Sequence, residues 1–154
     1  MDPAFVATPT ELAISAALAL WPELAGYRVR PLLVTAFADI YVEKEAGDVW
    51  AAKPIELECG RVCGSVEELQ RLFSDPEWAA ENLLTDLALL AKERGISREA
   101  SQVFAFAPHP SFTGNLGIEQ LMPMDLDVWH HLCRQMRDAQ QGSPADAASG
   151  APEL

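Results

Sequence analysis

Asp39 and Glu43, two carboxylates four residues apart, are the first residues whose spacing suggests chemistry. They lie in or beside a β-branched, aromatic run, Leu32 to Val42, and share one strand parity with Phe37 and Tyr41. Paired acids on one strand face can divide general acid and general base roles between them. No basic partner or catalytic motif accompanies this pair. The chain contains no nucleophile elbow, phosphate loop or dinucleotide fingerprint. Ser111 stands close to His109, but a triad is defined in space and not by adjacency along the chain. Cys59 and Cys63 are spaced like metal ligands, yet the histidines, His109, His130 and His131, fall far along the sequence. Adjacent His130 and His131 diverge by about 100° on a helix and do not converge on one ion. The sequence therefore offers no catalytic residue, no metal site and no cofactor. For Asp39 two readings stay open: a surface-facing or bulge position, and a charge presented to a partner.

What remains is acidity. Twenty-three acidic against eleven basic residues give a formal net charge of −12. That argues against a phosphate-backbone binder, which needs a basic surface, and against anchoring to an anionic membrane. It suits electrostatic capture of a basic protein, because opposite charges speed encounter. Asp39, Glu43, Glu45, Asp48, Glu56 and Glu58 fall on the strand segments, where only Lys44 and Lys53 oppose them. They are the candidate partner-binding residues, on an acidic sheet face. Glu67, Glu68, Asp75, Glu77, Glu81 and Asp86 add charge to two middle helices. The plainer alternative is a solvated surface that keeps the chain in solution.

The elements that must position these groups follow from pattern. Residues 1–7 form a flexible lead-in and 8–139 a single domain. A tail rich in Ala, Ser, Gly and Pro, 140–154, is expected to be mobile. Thr8-Pro9-Thr10-Glu11 reads as a capping box opening a helix to about Trp21, with Leu12, Ala16, Ala19 and Leu20 on its buried face. Pro31 bounds the central run Leu32–Val42. The run's second half pairs as a hairpin with Val49–Lys53 across the turn Glu45-Ala46-Gly47-Asp48. Ile55 to Cys59 alternates as a strand, and Gly60 to Gly64 is a loop. Ser65 caps one helix; Asp75 opens a longer one to Arg94, with Gly95 beyond it. Gln102–Ala107 and Leu116–Met122 read as strands. Asp125 or Asp127 caps a last helix burying Leu126, Trp129, Leu132, Cys133 and Met136. The three cysteines are an odd number, which argues against a secreted disulfide scaffold, and Met1–Thr10 lacks a basic leader. A cytoplasmic location with reduced thiols is expected. The fold class is α+β: an antiparallel sheet of about five strands flanked by helices.

Thr35-Ala36-Phe37-Ala38-Asp39-Ile40, followed by Gly47-Asp48-Val49, resembles the Thr-Ala-Phe-Gly-Asp and Gly-x-Val opening of a bacterial domain. Val103-Phe104-Ala105-Phe106-Ala107-Pro108, then Phe112-Thr113-Gly114, then a helix with His130 and Leu132, resemble its end. Ala38 stands where that motif usually has Gly. The domain is the C-terminal part of type VI secretion immunity proteins, where it accompanies GAD-like regions. The resemblance implies a cytoplasmic immunity protein that neutralises a cognate secreted toxin, a nuclease in known cases, by occlusion and without catalysis. It carries over no catalytic residues. Two other functions are weighed beside it: an adaptor or chaperone for a secreted effector, and a small carboxylate-using enzyme at Asp39 and Glu43.

Overall fold

The apolar run Leu32–Val42 folds as a hairpin, not as the single central strand its composition suggests. Strand β2 (Val29–Thr35) and strand β3 (Ile40–Lys44) flank a tight turn at residues 36–39. Two local features make the reversal. Ala38 takes a left-handed φ of 76°, a conformation that glycine adopts most cheaply. The Thr35 hydroxyl accepts the backbone N–H of Asp39 at 3.0 Å, while Thr35 N donates to the Asp39 carbonyl at 2.9 Å. Hydrophobicity is silent about such a turn, because its residues are as buried as the strands beside it. Pro31 lies inside β2, next to a register shift between Pro31 and Leu33, where its missing N–H interrupts the ladder at little cost.

The computed structural model describes the backbone of residues 1–150 and the side chains of residues 1–142. It is an α+β domain. A five-stranded antiparallel meander runs β1 (Val6–Ala7), β2, β3, β4 (Val49–Lys53), β5 (Glu58–Cys63). The expected hairpin is present, with Ile40 opposite Ala52 and Glu43 opposite Val49. Residues 54–57 form a turn, with Leu57 at a φ of 56°, and the stretch expected as a loop, Gly60–Gly64, mostly belongs to β5. Strands β6 (Gln102–Phe106) and β7 (Leu121–Asp125) make a separate antiparallel pair. The second partner thus begins five residues later than expected, after a short helix α5 (Pro110–Thr113) and a 3-10 turn at Ile118–Gln120.

Helices cover both faces of the meander. Ile40, Val42, Ala52 and Cys59 pack with α1 (Glu11–Leu18) and with Leu126, Trp129 and Cys133 of α6 (Leu126–Gly150). Tyr41, Val49, Ala51 and Cys63 face the other way, onto α2 (Val66–Phe73) and α3 (Pro76–Asn82). Burying both faces explains the near-continuous apolar character of β3, which reads unlike a strand with one wet side. A third cluster joins Phe37 of the turn to Phe104, Phe106 and α4 (Thr85–Glu93).

The caps follow the sequence with shifts. Thr10, not Thr8, caps α1, its hydroxyl accepting from Ala13 N. The buried face of α1 is consequently Ala17 and Leu18 with Trp21 beyond, while Leu12 is exposed. Ser65 and Asp75 cap α2 and α3 as expected. The longer helix expected after Asp75 is broken in two at Leu84, whose φ is 53°. Leu83 and Leu84 enter different cores there, which one straight helix would not allow. Leu132 of α6 is 39% exposed instead of facing inward. The mobile tail expected over 140–154 falls mostly outside the fully described residues, α6 being traced to Gly150.

Candidate functional site

The six acids singled out from the sequence do not make one sheet face. Because helices cover both faces, these residues gather at the two ends of the β3–β4 hairpin. At one end, Glu43 accepts from Arg30 Nε and Nη2 at 3.0 and 2.6 Å, and Glu45 lies 3.9 Å from Arg28. Asp48 accepts from the Trp50 indole at 2.7 Å, with Arg61 at 4.0 Å, and these contacts hold its carboxyl below the ordinary range, Trp50 contributing most. At the other end are Asp39, Glu56 and Glu58, the last two exposed. Asp39 and Glu43 are separated by four strand residues, about 13 Å, which is too far for a shared proton. Lys44 is withdrawn from any ion pair with these acids. It is buried between the rings of Tyr27 and Trp50, at 3.6 and 3.4 Å.

Asp39 is 4% exposed and presents no charge to a partner, which corrects both sequence-based readings of it. Its place in the turn, between the cores, puts the carboxyl inside. Lys53 Nζ is 3.7 Å from one oxygen; the other oxygen has no hydrogen-bond partner among the described residues, nor does the nearby Tyr41 hydroxyl. Burial outweighs the attraction of Lys53 and pushes the carboxyl up to about 8, so Asp39 is largely protonated at neutral pH. The same burial raises the Tyr41 phenol.

Two buried histidines hold the surrounding segments. His130 Nδ1 accepts from the Trp21 indole at 2.9 Å, and Nε2 lies 2.7 Å from the Ala38 carbonyl. An indole can only donate and a carbonyl can only accept, so the neutral Nε2–H tautomer is fixed. Burial lowers His130 to about 4. His109 repeats the device: Nδ1 accepts from Ser111 N and Nε2 faces the Pro54 carbonyl, both at 3.0 Å. Burial lowers it too. Ser111 N is the donor that His109 caps at the start of α5, and the Ser111 hydroxyl lies 3.0 Å from the same Nδ1. Cys59 and Cys63 face opposite sides of the sheet and cannot hold one ion together. Among the described residues, no three His, Cys, Asp or Glu side chains cluster as metal ligands.

Two surfaces remain that meet solvent with a distinct character. The first is the outer layer from α2 to the start of α4. Glu67, Glu68, Asp75, Glu77, Glu81 and Asp86 are all exposed there, and Arg71 is the one base between Ser65 and Asp86. The second was not legible from the sequence. It is a cleft of about 850 Å³ between α6 and the β6–β7 pair, lined by Phe106, Phe112, Met124, Trp129, Leu132 and Met136 among others. Its lining residues were assigned to core or to loop, Leu132 among the core; the signal available was Phe112, which no strand or helix face accounted for. Among the described residues, no helix is long and apolar enough to cross a membrane. Compared with protein-family models and with curated proteins, the chain matches none.

Proposed function

We propose that this protein is a cytoplasmic immunity protein that binds a cognate secreted toxin, a basic nuclease, and blocks it by occlusion without catalysing a reaction. One observation carries the proposal. Three of the segments on which the resemblance rests, the turn at residues 36–39, β6 and the helix carrying His130, meet at one place. Phe37 stacks on Phe106 and lies tilted against Phe104, with centroids 5.9 Å apart in both pairs. Phe104 N donates to the Ala36 carbonyl at 2.7 Å, and His130 reaches the Ala38 carbonyl. Mutual packing of these residues supports reading them as parts of one motif. The departure at Ala38 is of the same kind: its left-handed φ is the conformation that the glycine of the resembling motif would serve.

The acidic layer of α2 and α3 supplies the means of capture, since steering by opposite charge raises association rates. The test is co-expression with the product of the neighbouring gene. Toxicity of that product alone, relieved by this chain with recovery of a stable complex, supports immunity. A complex without relief of toxicity would make the chain an escort, and no complex at all would reject the proposal. Replacing Glu77 and Glu81 by Lys should slow association by about tenfold at low salt while leaving the melting temperature nearly unchanged.

A further inference from the structure

We infer that the open edge of β5 receives an extended strand of the partner protein, one that sets a bulky side chain opposite Gly60 and a lysine or arginine opposite Glu58. The inference rests on the binding role proposed above and names the contact mode and the chemistry of the bound segment.

An edge strand is a row of unpaired N–H and C=O groups, and proteins normally blunt it. The other edges here are blunted. β1 is only two residues long, and the part of β2 that it leaves open contains Pro31. In the second sheet β7 contains Pro123, and the Phe104 N–H of β6 is taken by the Ala36 carbonyl. β5 has six residues and no proline, and it ends the meander. Its register shift lies beyond Arg61, so Glu58–Arg61 pairs regularly with β4.

Parity fixes which groups face outward. Lys44 N donates to the Asp48 carbonyl at 2.9 Å, and in the same register Val42 faces Trp50 and Ile40 faces Ala52. Those pairs use the β4 groups of Trp50 and Ala52 on β3. Ala51 and Lys53 are therefore turned to β5, where Gly60 and Glu58 oppose them. Cys59 and Arg61 are left with N–H and C=O directed away from β4. No strand lies on that side, and no other backbone group among the described residues bonds to them. Donors and acceptors alternating at this spacing are matched by an added strand.

Side chains narrow the occupant. A Cβ at Gly60 would meet nothing within 4 Å, so the backbone there is bare. A large aromatic or β-branched side chain on an added strand covers such a glycine. Glu58, on the same sheet face, is exposed and forms no ion pair among the described residues. A base directly opposite it is favoured and an acid disfavoured. Arg61, the one base of β5, lies on the other face, 4.0 Å from Asp48. At its far end β5 runs into α2, where Glu68 accepts from Gly64 N at 2.7 Å, so the edge is continuous with the acidic layer. A second copy of this chain fits less well. Two-fold pairing of β5 with itself keeps each face against its like, so Glu58 never meets Arg61, and two chains at −12 repel.

The probe is a short synthetic peptide with phenylalanine and lysine two residues apart on one strand face and threonine on the other, titrated into the isotope-labelled protein. It should slow hydrogen exchange at the Cys59 and Arg61 amides by at least about tenfold and leave Glu58 and Gly60, already bonded to β4, unchanged. The same peptide N-methylated on the residues that face the edge should protect neither amide. Glycine for phenylalanine, or glutamate for lysine, should each weaken binding by about fivefold or more. Arg61→Pro removes one outward N–H where an edge tolerates proline, and should abolish protection of Cys59. Should that variant fail to fold, Glu58→Lys, at an exposed position, should reverse the preference between the lysine and glutamate peptides. No protection of Cys59 and Arg61 up to the peptide's solubility limit, or equal binding by the N-methylated peptide, overturns the inference. So does concentration-dependent protection of the two amides without peptide, which would give the edge to a second copy. If the neighbouring gene's product is neutralised equally well by folded Arg61→Pro and by Glu58→Lys, the edge is wrong and immunity stands. If the peptide protects the edge and no toxin is bound, the edge stands and immunity does not.

Discussion

Replacing Asp39 by Asn should stabilise the protein at neutral pH, against the ordinary expectation for removing half of an ion pair. The carboxyl's folded value of about 8 lies far above its ordinary 3.8. Between those two pH values the folded state holds a proton that the unfolded chain has released. Its contribution to stability is therefore fully present below pH 3.8 and is lost as pH rises towards 8, by about 1.4 kcal/mol per pH unit. From the carboxyl's ordinary value to pH 7 the loss is about 4 kcal/mol. Asn carries no such linkage. It does bring an amide N–H₂ to a place where the second Asp39 oxygen has no partner, at a cost of about 1–3 kcal/mol. The net expectation at pH 7 is a gain of about 1–3 kcal/mol. Urea unfolding of both proteins between about pH 5 and pH 8 isolates the effect, since every other titration is common to the pair. The difference should move in favour of the Asp39→Asn variant as pH rises. If it is flat, or moves the other way, Asp39 is ionised in the fold and Lys53 at 3.7 Å outweighs burial, which would refute the reasoning.

His130 carries the opposite pH dependence. Its folded value near 4 lies below the ordinary 6.5, so the stability it allows is complete above pH 6.5 and about 3 kcal/mol is lost as pH falls to 4. Carbon-detected titration of the ring should show no protonation until close to pH 4, and a midpoint near 6.5 would reject the two hydrogen bonds. Ala38→Gly sets two effects against each other. Relief of the left-handed backbone is worth about 1 kcal/mol, and loss of a fully buried methyl costs about as much. Denaturant midpoints should nearly coincide; a change above about 2 kcal/mol in either direction would show that one effect has been misjudged.

Periodicity and capping chemistry located most elements, because those signals are local. Ser65 and Asp75 announce α2 and α3 by hydroxyl and carboxylate, and the alternation at Gln102–Phe106 shows β6. What local pattern could not show were reversals inside apolar sequence. The turn at residues 36–39 and the break at Leu84 depend on left-handed residues, Ala38 and Leu84, whose types give no warning. A glycine at either position would have signalled the bend. The burial of Asp39 and His130 was hidden for a related reason. Trp21, the partner of His130, is far away in sequence, and the cover on both sheet faces that buries Asp39 against Lys53 exists only in the closed fold. The acidic character of α2 and α3 was visible as composition, but the acids of the strands drew equal attention until both sheet faces proved to be covered. The cleft is a property of how α6 meets β6 and β7, which no single segment encodes.

Two adjacent residues tie the acidic layer to the cleft. Lys53 Nζ is within 3.5 Å of Asn82 Oδ1 at the end of α3, and the Pro54 carbonyl accepts from His109 in the cleft wall. Asp39 sits against the first of these, and His130 fixes Ala38, the residue before it. The buried polar groups thus lie where three apolar clusters meet, at the one place where packing alone would leave relative positions least defined. His109 and His130 have directional partners on both ring nitrogens, and directional contacts specify an arrangement in a way that interchangeable methyl contacts do not. The protonated Asp39 and the neutral His130 avoid the cost of burying full charges there. A protein that works by fitting another polypeptide gains from such a joint, because surfaces fixed before encounter lose little entropy on binding.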